Sequence, residues 1–153
     1  MTWIVMPSQA NALGTAFGGQ VMAWIDVCAA VAAQRFARAD VVTVGMDQLT
    51  FLAPIRQGDV VVVRGMVNWA GRTSMEVGVR VDAEDVHTGS QRKTSTAYLT
   101  FVAVDGEGAT CPVPTLGPVT EDHRRRFAEA QARREARLRF KQDMLRRRAE
   151  EAG

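Results

Sequence analysis

Cysteine and histidine are scarce in this chain of 153 residues. It contains two cysteines, Cys28 and Cys111, and two histidines, His87 and His123. Residues so few and so far apart predict free thiols and exclude a disulfide framework. They also exclude a histidine-based zinc site and a histidine base beside a serine or cysteine nucleophile. We therefore expect no metal and no cofactor.

Long apolar runs are also missing. No stretch approaches the roughly 20 apolar residues that cross a bilayer, and residues 1–9 lack the basic start and apolar centre of a secretory signal. We expect a cytoplasmic protein with no membrane partner. A chain of this length with 46% hydrophobic residues suits one globular domain with a real core.

Charge of one sign is not in large excess, because the formal net charge is only +2. Residues 120–153 hold 11 basic and 7 acidic side chains, and their mixed signs at helical spacing are typical of a solvated helix. No nucleic-acid partner is expected. The proline-containing segment that ends at Pro118 predicts a boundary between a folded domain, residues 1–118, and a charged helical tail, residues 119–153, with Thr120 as the helix N-cap.

Hydrophobic patterning predicts one helix and five strands before that boundary. Residues 19–37 are apolar on every side, so we expect the helix to be enclosed. Strands are expected at 3–6, 41–51, 60–69, 74–82 and 93–104. Residues 75–82 alternate between apolar and polar, which is typical of a sheet with one face in water. Strands that follow a single buried helix favour an α+β fold over alternating α/β.

The stretch from Asn11 to Asp26 is the most informative. A polar loop with Gly14, Gly18 and Gly19 opens directly into the apolar helix. Glycines let a ligand approach the backbone, and the first N–H groups of a helix lack intrahelical acceptors, so this junction can hold an oxyanion. Asp26 follows among apolar residues, where an ionised carboxylate is costly to bury without a partner or a task. The alternatives are a simple tight turn and a hydrogen-bonded structural aspartate.

The loop Asn11-x-x-Gly14-x-x-Phe17-Gly18-Gly19, with Asp26 behind it, resembles the hotdog-fold acyl-CoA thioesterases. The likeness is to the acyl-CoA hydrolase branch, which includes the brain-type long-chain enzyme and small bacterial relatives. Residues 50–59, 71–77 and 97–105 also match that branch, and the resemblance covers about residues 3–116. It implies an antiparallel sheet of about five strands around one central helix. Members of the branch often carry histidine where this chain has Phe17.

The resemblance implies hydrolysis of the thioester of acyl-CoA, in fatty acid metabolism, with Asn11 and Asp26 in the active site. The N–H groups of Gly18 and Gly19 would hold the carbonyl with Asn11, which orients water or the carbonyl. Asp26 would activate water or attack directly through an anhydride. The alternative from another class is a non-catalytic acyl-CoA-binding or sensing module.

Other residues are candidates for contact with substrate or coenzyme A. Arg72, Thr73 and Ser74 either cradle phosphates or only form a turn, and Arg92 and Lys93 either neutralise phosphates or are solvated edge charges. Phe17, Met22 and Trp24 line an acyl tunnel or belong to the core. The full set of substrate-binding candidates is Gly14, Phe17, Arg72, Thr73, Ser74, Arg92 and Lys93.

The spacing of the helix adds an independent constraint. Seven residues separate Gly19 from Asp26, which is about 10 Å along a helix, so Asp26 cannot readily serve its own loop. A second subunit with its helix alongside would present its Asp26 to that loop. We therefore expect homodimers with two equivalent composite sites, and, on the precedent of the family, a trimer of dimers, which is a hexamer.

Overall fold

The computed structural model describes residues 1–151. Its elements agree with the predicted ones to within two residues at each end. A short 3-10 helix, Pro7–Gln9, lies between the first strand and the first α-helix. In chain order the strands and α-helices are β1 Thr2–Ile4, α1 Gly18–Ala37, β2 Asp40–Phe51, β3 Val60–Ala70, β4 Ser74–Glu84, β5 Gln91–Val104 and α2 Glu121–Glu151.

The five strands form one antiparallel sheet in the order β1-β3-β4-β5-β2. One face of the sheet packs against α1, and the core between them is made of valines, alanines and a few large side chains. This arrangement confirms the predicted α+β hotdog fold. The largest fully buried side chains include Val21 and Ile25 of α1 and Val63, Met75, Leu99 and Phe101 of the sheet.

The sheet of this single chain covers only one side of α1. Ile25 and Ala29 are fully buried, whereas Met22 and Val27 are 43% and 48% exposed. The prediction that α1 is enclosed on all sides is therefore wrong for one chain. The all-round apolar composition still has a consequence, because an exposed apolar stripe on a helix marks a surface that another structure covers.

The face of the sheet that points away from α1 is more buried than predicted. Met75, Val77, Val79 and Val81 face the core as expected, but Glu76 and Asp82 on the opposite face are buried too. The Asn68 side chain donates a hydrogen bond to the Glu76 carboxylate at 3.3 Å. Asp82 accepts hydrogen bonds from Arg64 and Arg80. The expected wet face is thus partly dry, and its buried carboxylates have hydrogen-bond partners.

The chain divides into two compact units, Met1–Thr115 and the residues from Leu116 onward. In the second unit the N–H of His123 donates to Thr120 Oγ1 at 3.1 Å, which confirms Thr120 as the cap of α2. Hydrogen bonds from Arg126 and Arg125 lower the pKa of Asp122. No helix within residues 1–151 combines the length and apolarity needed to cross a bilayer. The assignment of domains to 1–118 and 119–153 stays a prediction, and residues 152–153 lie outside the described residues.

Candidate active site

The Asn11 side chain closes the loop that precedes α1. Its Oδ1 accepts hydrogen bonds from the N–H of Leu13 at 2.9 Å and from the N–H and hydroxyl of Thr15 at 3.2 and 3.1 Å. Gly14, with φ of +69°, supplies the left-handed residue of this turn. Because backbone N–H groups can only donate, they fix which end of the amide is the oxygen. Nδ2 remains a donor with no acceptor among residues 1–151.

The loop is tied to the segment that follows β2. The N–H of Ala16 donates to the carbonyl of Ile55 at 2.7 Å, and the N–H of Gln57 donates to the carbonyl of Gly14 at 3.0 Å. Short backbone bonds at both ends of the turn restrict its motion. The start of α1 is therefore held against the Ile55 segment rather than carried on a free loop.

The first turn of α1 offers unused hydrogen-bond donors. The N–H groups of Gln20 and Val21 both donate to the carbonyl of Phe17, at 2.9 and 3.2 Å. Within the described part of the chain, the N–H groups of Gly18 and Gly19 have no acceptor, and Phe17 provides no side-chain cap. A Cβ on Gly19 would lie 2.4 Å from Phe17 Cε1, so the Phe17 ring covers this turn. Two free donors at the positive end of a helix are suited to an oxyanion.

An open groove of about 370 Å³ begins at this helix start. Phe51 stands beside Gly18, because a Cβ there would meet the Phe51 ring at 3.7 Å. Phe51 and Leu52 are 53% and 54% exposed, so the wall is apolar and accessible. Such a groove fits an extended apolar chain better than a polar ligand. The residues that line it are Thr15, Ala16, Gly18, Val21, Phe51, Leu52, Ala53, Pro54 and Ile55.

Asp26 is held by a residue that sequence reasoning missed. The hydroxyl of Thr43 donates a hydrogen bond to Asp26 Oδ1 at 2.8 Å. Thr43 lies in β2, and Val44 directly after it is the extra residue of a β-bulge. Asp26 is half-buried in its own chain and shares the exposed stripe of α1 with Met22 and Val27. The carboxylate is thus oriented, and it faces the side of α1 that this chain leaves uncovered.

The helix start and Asp26 lie toward opposite ends of the sheet. Thr43, the partner of Asp26, pairs with Phe101 of β5, whereas Phe51, which stands beside the helix start, pairs with Ser95. These positions on β5 are six residues apart, which is about 20 Å along a strand. One chain therefore carries the donors and the carboxylate in separate places.

Arg72, Thr73 and Ser74 lie at the Asp26 end of the sheet. Ser74 begins β4 and pairs with Val102, and the carbonyls of Arg72 and Thr73 each accept a backbone N–H at 2.9 Å. None of the three lines the groove at the helix start. The carbonyls of Arg72 and Thr73 are thus used in hydrogen bonds within the fold. The side chains of all three residues are near the end of the sheet that holds Thr43.

Arg92 and Lys93 lie at the other end, where β5 begins. Arg92 donates to the carbonyl of Pro54 from Nε and Nη2 at 3.2 and 3.1 Å and forms an ion pair with buried Asp59. Arg92 therefore supports the wall of the groove. Lys93 has no hydrogen-bond or ion-pair partner within residues 1–151.

Two other candidates for chemistry or binding belong to the core. Trp24 is buried and its ring stacks on Trp3 with the centroids 5.7 Å apart, so Trp24 packs the core rather than a tunnel. Cys28 is buried near the carbonyl of Val63, and burial raises the pKa of its thiol, which makes it a poor nucleophile. Both cysteines are free, as predicted. The described residues hold no group of three histidine, cysteine, aspartate or glutamate side chains that could bind a metal.

Comparison with known families agrees with this geometry. A model described as "Thioesterase superfamily" matches residues 13–90, which include the helix start, α1 and Thr43. The chain belongs to the thioesterase superfamily. It is 43% identical to an uncharacterized acyl-CoA thioester hydrolase of Bacillus subtilis, over 77% of this chain and 69% of that protein. It is also 36% identical to the human cytosolic acyl coenzyme A thioester hydrolase. That match covers 85% of this chain but only 35% of the larger human protein.

Solved structures in the superfamily match almost the whole chain. An apo-hexameric acyl-CoA thioesterase is 42% identical, with a TM-score of 0.88 over 91% of this chain and 89% of that one. The acyl-CoA hydrolase of Staphylococcus aureus, in complex with butyryl coenzyme A and coenzyme A, is 35% identical, with a TM-score of 0.88 over 100% of this chain and 93% of that one. Structures of that hydrolase include alanine variants of an aspartate, a threonine and an asparagine.

Proposed function

We propose that residues 1–118 form an acyl-CoA thioesterase domain, which hydrolyses acyl-CoA to the free acid and coenzyme A. One observation carries this proposal: the start of α1 has two unused N–H groups, at Gly18 and Gly19, and Gly18 lines an apolar groove of about 370 Å³. The donors suit the oxygen of a thioester carbonyl, and the groove suits an acyl chain. The names of the thioesterase relatives support the same activity.

The thioester carbonyl accepts hydrogen bonds from Gly18, Gly19 and Asn11 Nδ2, which stabilise the negative charge that develops on its oxygen. Asp26 of the partner subunit removes a proton from water as the water oxygen attacks the carbonyl carbon. The C–S bond then breaks, coenzyme A leaves as a thiolate, and the proton is released from the carboxyl. Direct attack by Asp26, with an anhydride that water later opens, uses the same atoms. In both versions Thr43 orients the carboxylate.

The positions of the variants in the Staphylococcus aureus hydrolase support these assignments. Its asparagine, aspartate and threonine variants have the same spacing along the chain as Asn11, Asp26 and Thr43. The asparagine variant is in complex with coenzyme A. An equal spacing of the same three residue types in a matching fold favours one shared site.

A homodimer brings the two separated halves together. The apolar stripe with Met22 and Val27 is exposed, and β2 is an edge strand whose Val42 and Val44 are 48% and 62% exposed. Antiparallel contact of these surfaces about a two-fold axis places the Asp26 end of one chain against the loop end of its twin. Three such dimers would form a hexamer, the state named for one structural relative.

The remaining substrate contacts follow the two ends of the sheet. Gly14 and Phe17 contact the ligand from the loop. Arg92 and Lys93 contact its phosphates near the groove. Arg72, Thr73 and Ser74 reach the same site from the partner subunit, because they lie at the Asp26 end. The reaction needs no metal or other cofactor, and we place the enzyme in the cytoplasm, in fatty acid metabolism, without a nucleic-acid or membrane partner.

Release of free thiol from acyl-CoA of different chain lengths tests the proposed activity. In Asp26→Asn, which keeps the size of the side chain, kcat should fall by about 1,000-fold or more because the charge that activates water is gone. Asp40→Asn, at an exposed position of β2, is the matched control and should keep the wild-type rate. Tight acyl-CoA binding without thiol release would instead establish the binding or sensing module.

A further inference from the structure

A second cavity, of about 350 Å³, lies where β3, β4 and β5 run side by side. It shares no residue with the apolar groove, and charged side chains dominate its lining. We call it the basic cavity. Its lining residues are Arg64, Arg80, Asp82, Gln91, Arg92 and Lys93.

Two arginines of the basic cavity are directly opposite each other. Arg64 of β3 pairs with Arg80 of β4, and like charges at opposed positions of a sheet destabilise it. Asp82 accepts hydrogen bonds from both, at 2.7 Å from Arg64 and at 2.9 Å from Arg80. The carboxylate is almost buried, at 11% exposed, while the arginine side chains are 63% and 59% exposed. One carboxylate thus holds both guanidinium groups in place, and both guanidinium groups are open to solvent.

One carboxylate does not balance the charge of the basic cavity. Lys93 is directly opposite Asp82 in the β4–β5 pairing and is a third cation there. It has no ion-pair partner within the described part of the chain, whereas Arg92 forms an ion pair with Asp59 and is left out of this count. Arg64, Arg80 and Lys93 together therefore leave two uncompensated positive charges. A concave surface focuses such charge and attracts anions.

We propose that the basic cavity binds a phosphate group through Arg64, Arg80 and Lys93. Arg64 uses only Nη1 for Asp82, so its Nε and Nη2 remain free to donate to phosphate oxygens. The ammonium of Lys93 supplies a point charge to the same anion. Asp82 has a positioning role, because it holds the two guanidinium groups side by side against their repulsion.

Two sources can supply the phosphate group. Arg92 lines the basic cavity and also bonds to the carbonyl of Pro54 in the wall of the apolar groove, so the phosphates of a coenzyme A in that groove are one source. A free phosphate ester or diphosphate is the other. The coenzyme A source rests on the proposed function, whereas binding of the anion itself does not.

Calorimetric titration with inorganic pyrophosphate tests the site without reference to hydrolysis. Wild-type protein should bind it in a saturable, salt-sensitive way, and Lys93→Ala should weaken binding about tenfold or more, since a charge-assisted bond is lost. Lys93 has no partner in the described chain, so this variant should fold normally. Arg64→Ala should weaken binding as strongly, and Arg147→Ala, on exposed α2, is the matched control. Absence of binding, or equal binding by all variants, would overturn the proposal.

The two sources separate in a kinetic comparison. If coenzyme A supplies the phosphate, Arg64→Ala should raise the KM for acyl-CoA about tenfold and leave the KM unchanged for an acyl-pantetheine analogue, which lacks the phosphates of coenzyme A. If a free anion is the ligand, neither KM should change, although pyrophosphate binding is still weakened. Both results support a phosphate site, and a variant that alters neither KM nor pyrophosphate binding would eliminate it.

Discussion

The two ends of the sheet carry complementary halves of the proposed chemistry. The loop end has donors without a carboxylate: unused N–H groups at Gly18 and Gly19, the Asn11 amide and an apolar groove. The other end has the carboxylate, because Asp26 is held there by Thr43 on an exposed apolar stripe. Each end is well ordered by its own hydrogen bonds. The comparison shows that well-positioned residues within one chain need not form a complete active site.

The contrast also explains why α1 is apolar all round. Its buried face packs against the sheet of its own chain, which accounts for Ile25, Ala29 and Ala33. On the opposite face Met22 and Val27 are exposed, and nothing in a monomer accounts for apolar side chains there. In the proposed homodimer a second subunit covers these side chains, and it would also remove Asp26 from water beside its new donors, where electrostatic interactions are stronger.

Substitution of Asn11 should have the largest effect at the loop end. Asn11→Asp keeps the Oδ1 that accepts from Leu13 and Thr15, but it replaces the Nδ2 donor with an oxygen. We expect kcat to fall by about 100-fold or more because one oxyanion donor is lost and a negative charge is added. Circular dichroism and the melting temperature should stay close to the wild type. Full activity in this variant would show that Asn11 only shapes the turn.

Substitution of Thr43 should have a smaller effect at the Asp26 end. Thr43→Val keeps the shape of the side chain and removes the hydroxyl that orients the carboxylate. We expect kcat to fall by about tenfold, as for the loss of one hydrogen bond to a charged group. The KM for acyl-CoA should stay close to the wild-type value, because Thr43 touches the carboxylate and not the substrate. Thr43→Ser should restore the rate, and failure of that rescue would count against the positioning role.

Much of the fold follows from local patterns, and half of the site does not. Alternation and apolar periodicity locate the five strands and α1 to within two residues, because those patterns reflect which face each residue buries. The 3-10 helix Pro7–Gln9 was not predicted. Thr43 was missed, since a threonine among the valines of β2 is typical of any strand. Only the fold reveals that it meets Asp26. The burial of Glu76 was missed for a similar reason, because period-two alternation cannot show what covers the second face.

The predicted site residues show the same limit. The glycines and Asn11 were predicted because a polar loop before an apolar helix has a local signature, and in the structure that loop has unused donors. Trp24 is a large aromatic residue of the kind that can line an acyl tunnel, yet it stacks on Trp3 in the core. Residues 72–74 and 92–93 were grouped by charge and turn chemistry alone. Strand register was needed to separate them to opposite ends of the sheet.

The smallest expected effect concerns the packing of the helix start. A Cβ in Gly19→Ala would lie 2.4 Å from Phe17 Cε1, so the exposed ring must swing away from the first turn. We expect the KM for acyl-CoA to rise severalfold, because the displaced Phe17 ring loses contact with the substrate worth roughly 1 kcal/mol of binding free energy. Stability should change little. In a Phe17→Ala background the same change should have no further effect on KM. An equal effect in both backgrounds would show that Gly19 acts independently of Phe17.

Mixing two inactive variants tests the shared site most directly. Asp26→Asn and Asn11→Asp subunits, unfolded together in equal amounts and refolded, form mixed dimers in about half of cases, and each mixed dimer has one intact site. The composite site therefore predicts recovery of about one quarter of the wild-type rate. Each variant refolded alone should stay inactive. If the mixture is no more active than its two parents, although subunit exchange is demonstrated by mass, the donors and the carboxylate do not act across the dimer.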